Sequence, residues 1–309
     1  MLCGQWLQNA NKRGQMPIAF FPEFPDNGDI TMKKEHITMK LRDKFWLWGH
    51  PEGRYNNEYG NNQVSRMTPM ECCLYLGCRS TFMVPEKWEV NRRQYNKSFT
   101  TLRNVVWECY DAGKNPEIVE PLIAEAADFP NISGVVFDDF QRGGAKQYKQ
   151  IPLENLWGIR DRLHNNDVRP LNMWMVLYTH EFALDPEDPA SKPYDEEAFP
   201  AYVEPFDGII MWTWSEKDVN LIPEKFEAFK KLTEGKHRMA GCYLWNFGAK
   251  KPATGPAVKW QLDWWREKLL AGEIEGVVLH TNTMADLDLE SYDTALAWME
   301  EHGDEEIPD

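Results

Sequence analysis

Two adjacent carboxylates, Asp138 and Asp139, stand directly after a short apolar run, Val135 to Phe137, in the stretch Ile132 to Gln141. The run has the length and β-branched content of a buried strand. Neighbouring side chains of a strand point to opposite faces, so the two acids cannot both be plain surface residues. At least one is expected to leave the strand end facing something polar. Adjacent carboxyls also suppress each other's ionisation, so one can keep its proton near neutral pH while the other bears charge. That is the acid chemistry of glycosidic-bond cleavage. The structural alternative makes Asp138 a hydrogen-bonded strut and Asp139 a helix cap.

The elements that must position this pair repeat along the chain. Strands are expected at Lys44 to His50, Ser80 to Val84, Asn104 to Tyr110, the run before Asp138, Leu171 to Tyr178, Asp207 to Trp214, Met239 to Asn246 and Gly276 to His280. Helices are expected between them, among them Val219 to Glu234, and a longer acidic loop from Thr179 to Tyr194 follows the fifth strand. One helix starts at Thr68-Pro69-Met70-Glu71, which has capping-box spacing and Pro at the first helical position. A last helix spans Ser291 to Glu301. Strand–helix units in unbroken succession call for a parallel sheet, and eight of them close as a (β/α)8 TIM barrel. A doubly wound open sheet is the rival, but no GxGxxG follows the first strand. The expectation is therefore an α/β chain with a short N-terminal arm, residues 1–43, and a single barrel, residues 44–309.

In a barrel of this kind the functional residues sit at the C-terminal strand ends. Strand one offers Trp48 and His50, and strand three Glu108 and Tyr110. Strand four offers Asp138 and Asp139, and strand five Tyr178, His180 and Glu181. Strand six offers Trp212, Trp214 and Glu216, strand seven Trp245 and Asn246, and strand eight His280 and Asn282. Aromatics, amides and carboxylates in a ring suit a neutral polyhydroxylated ligand and suit a phosphate poorly. The 14 Trp in the chain fit the same picture, though most are expected in the core.

Other chemistries find less support. Metal-dependent barrel hydrolysis needs converging His ligands, and His50, His180 and His280 each stand alone. No metal and no cofactor is expected. No Ser or Cys stands at a recognisable spacing from a His. The six cysteines form no CxxC pair and read as buried free thiols. A formal net charge of −15 disfavours nucleic acid and anionic lipid as partners. No apolar run reaches membrane-spanning length. The start, Met1-Leu2-Cys3-Gly4-Gln5, has no signal-peptide pattern, so a cytoplasmic location is the default, periplasmic or extracellular if an export signal was trimmed.

Glycoside hydrolysis ordinarily uses two carboxylates, commonly after strands four and seven. Strand seven here carries no acid. Either Asp139 works with Glu108 or Glu181, or the substrate supplies its own nucleophile. For the second option there is a resemblance. Phe137-Asp138-Asp139-Phe140 resembles the paired-aspartate motif of O-GlcNAcase-type β-N-acetylglucosaminidases. Met211-Trp212-Thr213 is similar to that family's Trp-Thr motif, and Trp245-Asn246-Phe247 to its Trp-Asn-Phe motif, in the same order along the chain. The family's acid after Trp-Asn-Phe is replaced here by Gly248-Ala249-Lys250-Lys251-Pro252, and its Gly-rich first loop by Trp48-Gly49-His50-Pro51-Glu52-Gly53. The resemblance implies that Asp138 orients the substrate N-acetyl group, Asp139 is general acid and then base, and Asn246 binds the sugar. The expected function is glycoside hydrolysis on a carbohydrate substrate; a catalytically silent carbohydrate-binding barrel is the alternative.

Overall fold

A computed structural model describes residues 39–86, 88–109, 115–140, 151–182 and 199–307, all within the unit Thr38–Asp309. Tyr110, residues 1–38 of the expected arm and residues 183–198 of the expected acidic loop lie outside the described residues.

The apolar runs form eight strands: β1 (Phe45–Gly49), β2 (Ser80–Met83), β3 (Asn104–Glu108), β4 (Ile132–Phe137), β5 (Asn172–Tyr178), β6 (Gly208–Trp212), β7 (His237–Tyr243) and β8 (Gly276–His280). They pair in parallel in chain order, and β8 closes against β1. The chain is thus a closed (β/α)8 barrel, as its strand–helix alternation requires. The strands read as nearly continuous apolar runs because both faces are covered. Nine α-helices are described: α1 (Pro69–Leu76), α2 (Arg92–Ser98), α3 (Glu120–Asp128), α4 (Leu153–His164), α5 (Thr179–Phe182), α6 (Phe199–Val203), α7 (Ile222–Leu232), α8 (Gly255–Leu270) and α9 (Glu290–His302). At α1 the capping box forms as its spacing predicts. The Glu71 N–H donates to Thr68 Oγ1 at 3.3 Å and the Thr68 N–H to Glu71 Oε2 at 2.8 Å. Gly77 ends the helix at φ 73°, a left-handed position that glycine takes without strain.

The barrel interior is aromatic, and its packing needs glycine opposite tryptophan. Trp174 on β5 pairs in register with Gly208 on β6. A Cβ on Gly208 would stand 2.2 Å from the Trp174 ring, and one on Gly241 of β7 would stand 2.0 Å from Trp212. Each indole therefore fills the space of a side chain missing from the next strand. The same Trp212 ring meets Trp48 at a centroid distance of 5.5 Å and Tyr243 at 4.6 Å, and these three rings line the strand-end cavity.

Three local expectations differ from the structure. Met239 to Asn246 is not one strand: β7 stops at Tyr243, and Trp245–Asn246 turns out of the barrel to pair antiparallel with Lys251–Pro252. Thr179 does not begin a loop. It begins α5, where Glu181 Oε2 accepts the Tyr178 N–H at 3.0 Å and so satisfies a donor at the strand-to-helix junction. The helix expected from Val219 starts as a 3-10 segment, Glu216–Leu221, before Pro223 enters the first turn of α7.

The fit of Trp212 into Gly241 generates a stability prediction. Gly241→Ala should lower unfolding free energy by about 1–3 kcal/mol through overpacking. Urea denaturation followed by Trp fluorescence checks it, and a variant as stable as the parent would mean that the ring can shift freely.

Candidate active site

The C-terminal ends of the strands enclose a cavity of about 750 Å3. Its floor is Trp48, Trp212, Tyr243 and His280, and its acidic wall is Glu86, Glu108, Asp138 and Asp139. The pair at the end of β4 reaches the cavity by a local backbone device. Strand geometry ends at Phe137, and Asp139 takes φ 49°, in the left-handed region that Asp tolerates better than most residues. The turn breaks the alternation that would send the two acids to opposite faces, and both line the cavity. The Asp139 N–H donates to Asp138 Oδ1 at 2.9 Å, and the Tyr178 hydroxyl donates to Asp139 Oδ1 at 3.1 Å.

Electrostatics separate the wall residues from ordinary surface acids. Burial, then the charges of Asp139, Glu108 and Glu86, hold the Asp138 carboxyl well above the usual carboxylate range, against the lowering effect of the Asp139 N–H. Burial likewise pushes Glu108 up to about 8, although the Glu86 N–H donates to its Oε2 at 2.5 Å. The site thus holds protons at neutral pH that exposed carboxylates would have lost. Arg54 braces the wall from behind, with Nη2 on Glu86 Oε2 at 2.5 Å and Nη1 on Glu58 Oε2 at 2.6 Å.

The structure sorts the sequence-selected residues. Asp138, Asp139, Glu108, Glu181, Trp48, Tyr178, His180, Trp212, Trp214 and His280 share the cavity. Glu181 lines it while holding the Tyr178 N–H. His50, Trp245, Asn246 and Asn282 do not line it. His50 is buried; its Nδ1 bonds the Val84 carbonyl at 2.7 Å, its Nε2 lies 3.2 Å from the Tyr55 hydroxyl, and burial lowers its pKa to about 4. Neutral His50 therefore donates from Nδ1 and accepts at Nε2. Asn282 spends its amide on backbone, accepting the His50 N–H and donating to the His50 and Met67 carbonyls. The Trp245 indole donates to the Tyr59 carbonyl at 3.1 Å, and Asn246 Oδ1 accepts the Ala249 N–H at 3.1 Å. Both were displaced from the barrel when β7 ended early.

Sequence reasoning missed Tyr243, Arg54 and Glu86. Tyr243 was hidden because the strand seemed to continue past it; its place in register beside His280 is the signal that the end of β7 supplies. Glu86 follows β2 by three residues and could have been found by applying the strand-end rule there. Arg54 lies in an Asn- and Gly-rich loop with no periodicity to place it. Among the described residues, no cluster of His, Cys, Asp and Glu is arranged to hold a metal ion, and no helix is long and apolar enough to cross a membrane. The five described cysteines are buried and free.

No family model matches the sequence, and no curated protein is significantly similar to it. Solved structures do match in fold. Active domain 2 of a chitinase from Pyrococcus furiosus is 10% identical, with a TM-score of 0.53 over 86% of this chain and 97% of that one. A GH18 chitinase from Pseudoalteromonas aurantia is 11% identical, with a TM-score of 0.52 over 84% and 99%. GH5_18 from Streptomyces cattleya, solved in complex with GlcNAc, is 10% identical, with a TM-score of 0.57 over 87% and 82%. At these identities the likeness shows a shared (β/α)8 barrel.

The proton on Glu108 sets a pH dependence of stability. Its folded-state pKa of about 8 lies above the ordinary 4.5, so the folded state binds more protons between those values and its stability falls as pH rises through them. Glu108→Gln removes this liability. The variant should gain about 1–3 kcal/mol over the parent at alkaline pH, a margin that shrinks toward zero in acid. Denaturant unfolding across pH measures it, and a margin independent of pH would refute the assignment.

Proposed function

We infer that this chain is a glycoside hydrolase acting on a glycan that contains N-acetylhexosamine. The observation that carries the reading is the convergence of consecutive Asp138 and Asp139 on one cavity wall above an aromatic floor. No acid occupies the end of β7, where Tyr243 stands instead, so the substrate's acetamide supplies the nucleophile. The comparisons support the substrate class: one chitinase domain was solved with chito-oligosaccharides and the GH5_18 protein with GlcNAc.

In the proposed reaction, the ionised Asp138 carboxylate accepts the acetamide N–H, and the acetamide oxygen attacks C1. The bond from C1 to the leaving oxygen breaks as Asp139 delivers its proton to that oxygen. Asp139 then removes a proton from water, which opens the cyclic intermediate and restores the configuration at C1. Burial leaves the resting proton on Asp138. An acetamide N–H donated to Asp138 favours its ionised form and moves that proton to Asp139.

A second reading has its own observation. Glu108 keeps its proton up to about pH 8, and Asp139 receives the Tyr178 hydroxyl. Glu108 could therefore donate the proton while ionised Asp139 attacks or activates water.

A panel of aryl glycosides separates these readings. Cleavage confined to the β-N-acetylglucosaminide, with turnover lowered about 10²–10⁴-fold in Asp139→Asn at unchanged fold, supports substrate assistance. Cleavage of sugars lacking an acetamide, abolished by Glu108→Gln, supports the second. Saturable glycan binding with no turnover on any substrate, unaffected by Asp139→Asn, would leave a carbohydrate-binding barrel.

A further inference from the structure

The outer face of α8 carries aromatic surface that barrel packing leaves uncovered. Trp260 and Trp264 stand four residues apart, the spacing that puts two side chains on one helix face. Their rings are parallel to within 9°, with centroids 6.3 Å apart. Trp264 is held by near-perpendicular contacts with Phe226 of α7, at 5.3 Å, and with Trp265, at 4.5 Å. Lys268 Nζ lies 5.0 Å from the Trp264 centroid. Trp260 is 38% exposed and takes its orientation from Trp264. A ring already held in place loses little freedom when a flat ligand stacks on it.

Area, charge and position choose the occupant. An indole has on the order of 250 Å2 to bury, so the exposed part of Trp260 is about 100 Å2. A second copy of the chain or another folded partner needs about 800 Å2 a side. The lysines around the ledge are paired: Lys268 with Glu273 at 3.0 Å, Lys230 with Glu227 at 2.8 Å and Lys259 with Asp263 at 2.7 Å. An anionic ligand therefore finds no free lysine among them. The ledge also adjoins the cavity along the chain. Phe247 and Gly248 line the cavity within the hairpin that Trp245–Asn246 forms with Lys251–Pro252. Thr254, which caps α8, donates to Glu216 through its N–H at 2.9 Å and its hydroxyl at 3.0 Å. Trp260 stands five residues into α8 from this cavity-side end, about 7–8 Å along its axis. A ligand with flat apolar faces, no charge and enough length to extend beyond the cavity satisfies all three conditions, and a polymeric glycan is such a ligand.

We propose that Trp260 is a second glycan-binding site, separate from the catalytic cavity, at which a sugar ring of a polymeric substrate stacks on the indole that Trp264 holds in place. The proposal rests on reading the chain as acting on a glycan that contains N-acetylhexosamine, and it adds that this glycan is a polymer. One stacked ring binds weakly alone. When one polymer engages both the ledge and the cavity, the second contact is intramolecular and the two reinforce each other. A small glycoside reaches the cavity alone and is indifferent to Trp260.

Co-sedimentation with insoluble chitin, a β-1,4-linked polymer of N-acetylglucosamine, tests this beside turnover of the aryl β-N-acetylglucosaminide. Trp260→Ala should weaken chitin binding at least about fivefold and change aryl-glycoside turnover by less than about twofold. Trp157→Ala, on α4 with the same 38% exposure, should leave both unchanged and controls for adhesion of any exposed indole. Chitin binding that ignores Trp260→Ala, that falls as much in Trp157→Ala, or that is absent in the parent would overturn the proposal. A molar mass that drops in Trp260→Ala by light scattering, with chitin binding intact, would assign the ledge to a second copy instead. Hydrolysis is judged separately. Chitin binding that depends on Trp260 in a protein that turns over no glycoside keeps the ledge and sinks hydrolysis, whereas turnover with chitin binding indifferent to Trp260 sinks the ledge alone.

Discussion

Carboxyl groups at the ends of β3 and β4 share too little water for all of them to ionise, and the rest of the strand-end architecture answers to that constraint. Glu108, Asp138 and Asp139 raise one another's cost of charge, and burial multiplies the effect. Contacts that offset it include two backbone N–H groups, one phenol hydroxyl and one guanidinium at second hand. A protein selected for stability alone would replace one of these acids with an amide. Keeping them leaves a wall whose protonation changes with whatever enters.

The floor meets the opposite requirement, rigidity without polarity. Indoles set into glycine gaps at Gly208 and Gly241 lock the barrel interior, and the second of them, Trp212, packs with Trp48 and Tyr243 along the cavity. Arg54 joins wall and floor to the outer loop: it lies over the Tyr55 ring at 4.8 Å while gripping Glu86. Glu86 itself sits at φ 55°, held there by Arg54 and by the bond its N–H gives Glu108.

Much of this was legible in the sequence because barrel strands are short, apolar and regularly spaced. All eight strands and the α1 capping box follow from residue patterns that depend on local geometry. The site was legible wherever a strand end could be located: ten of the described candidates face one cavity. It failed where the chain left the barrel early. Trp245 and Asn246 carry the most family-like motif after the paired acids, yet one Tyr upstream the backbone has already turned into a hairpin. Nothing in Met239 to Asn246 interrupts the apolar run, so alternation alone could not locate the exit. His50 and Asn282 show a different limit. Polar residues at strand ends can serve the barrel as well as a ligand, and only their partners decide.

Those partners carry a consequence for biosynthesis. Asn282 holds the backbone of His50, 232 residues earlier, with two hydrogen bonds, and a third ties it to Met67. The loop that follows His50 carries Arg54, the brace of the acidic wall. A ribosome has therefore added 232 residues after His50 before the brace can be anchored from its far side. Nascent chains that hold the paired aspartates but not yet β8 and Asn282 lack the closure that fixes this loop.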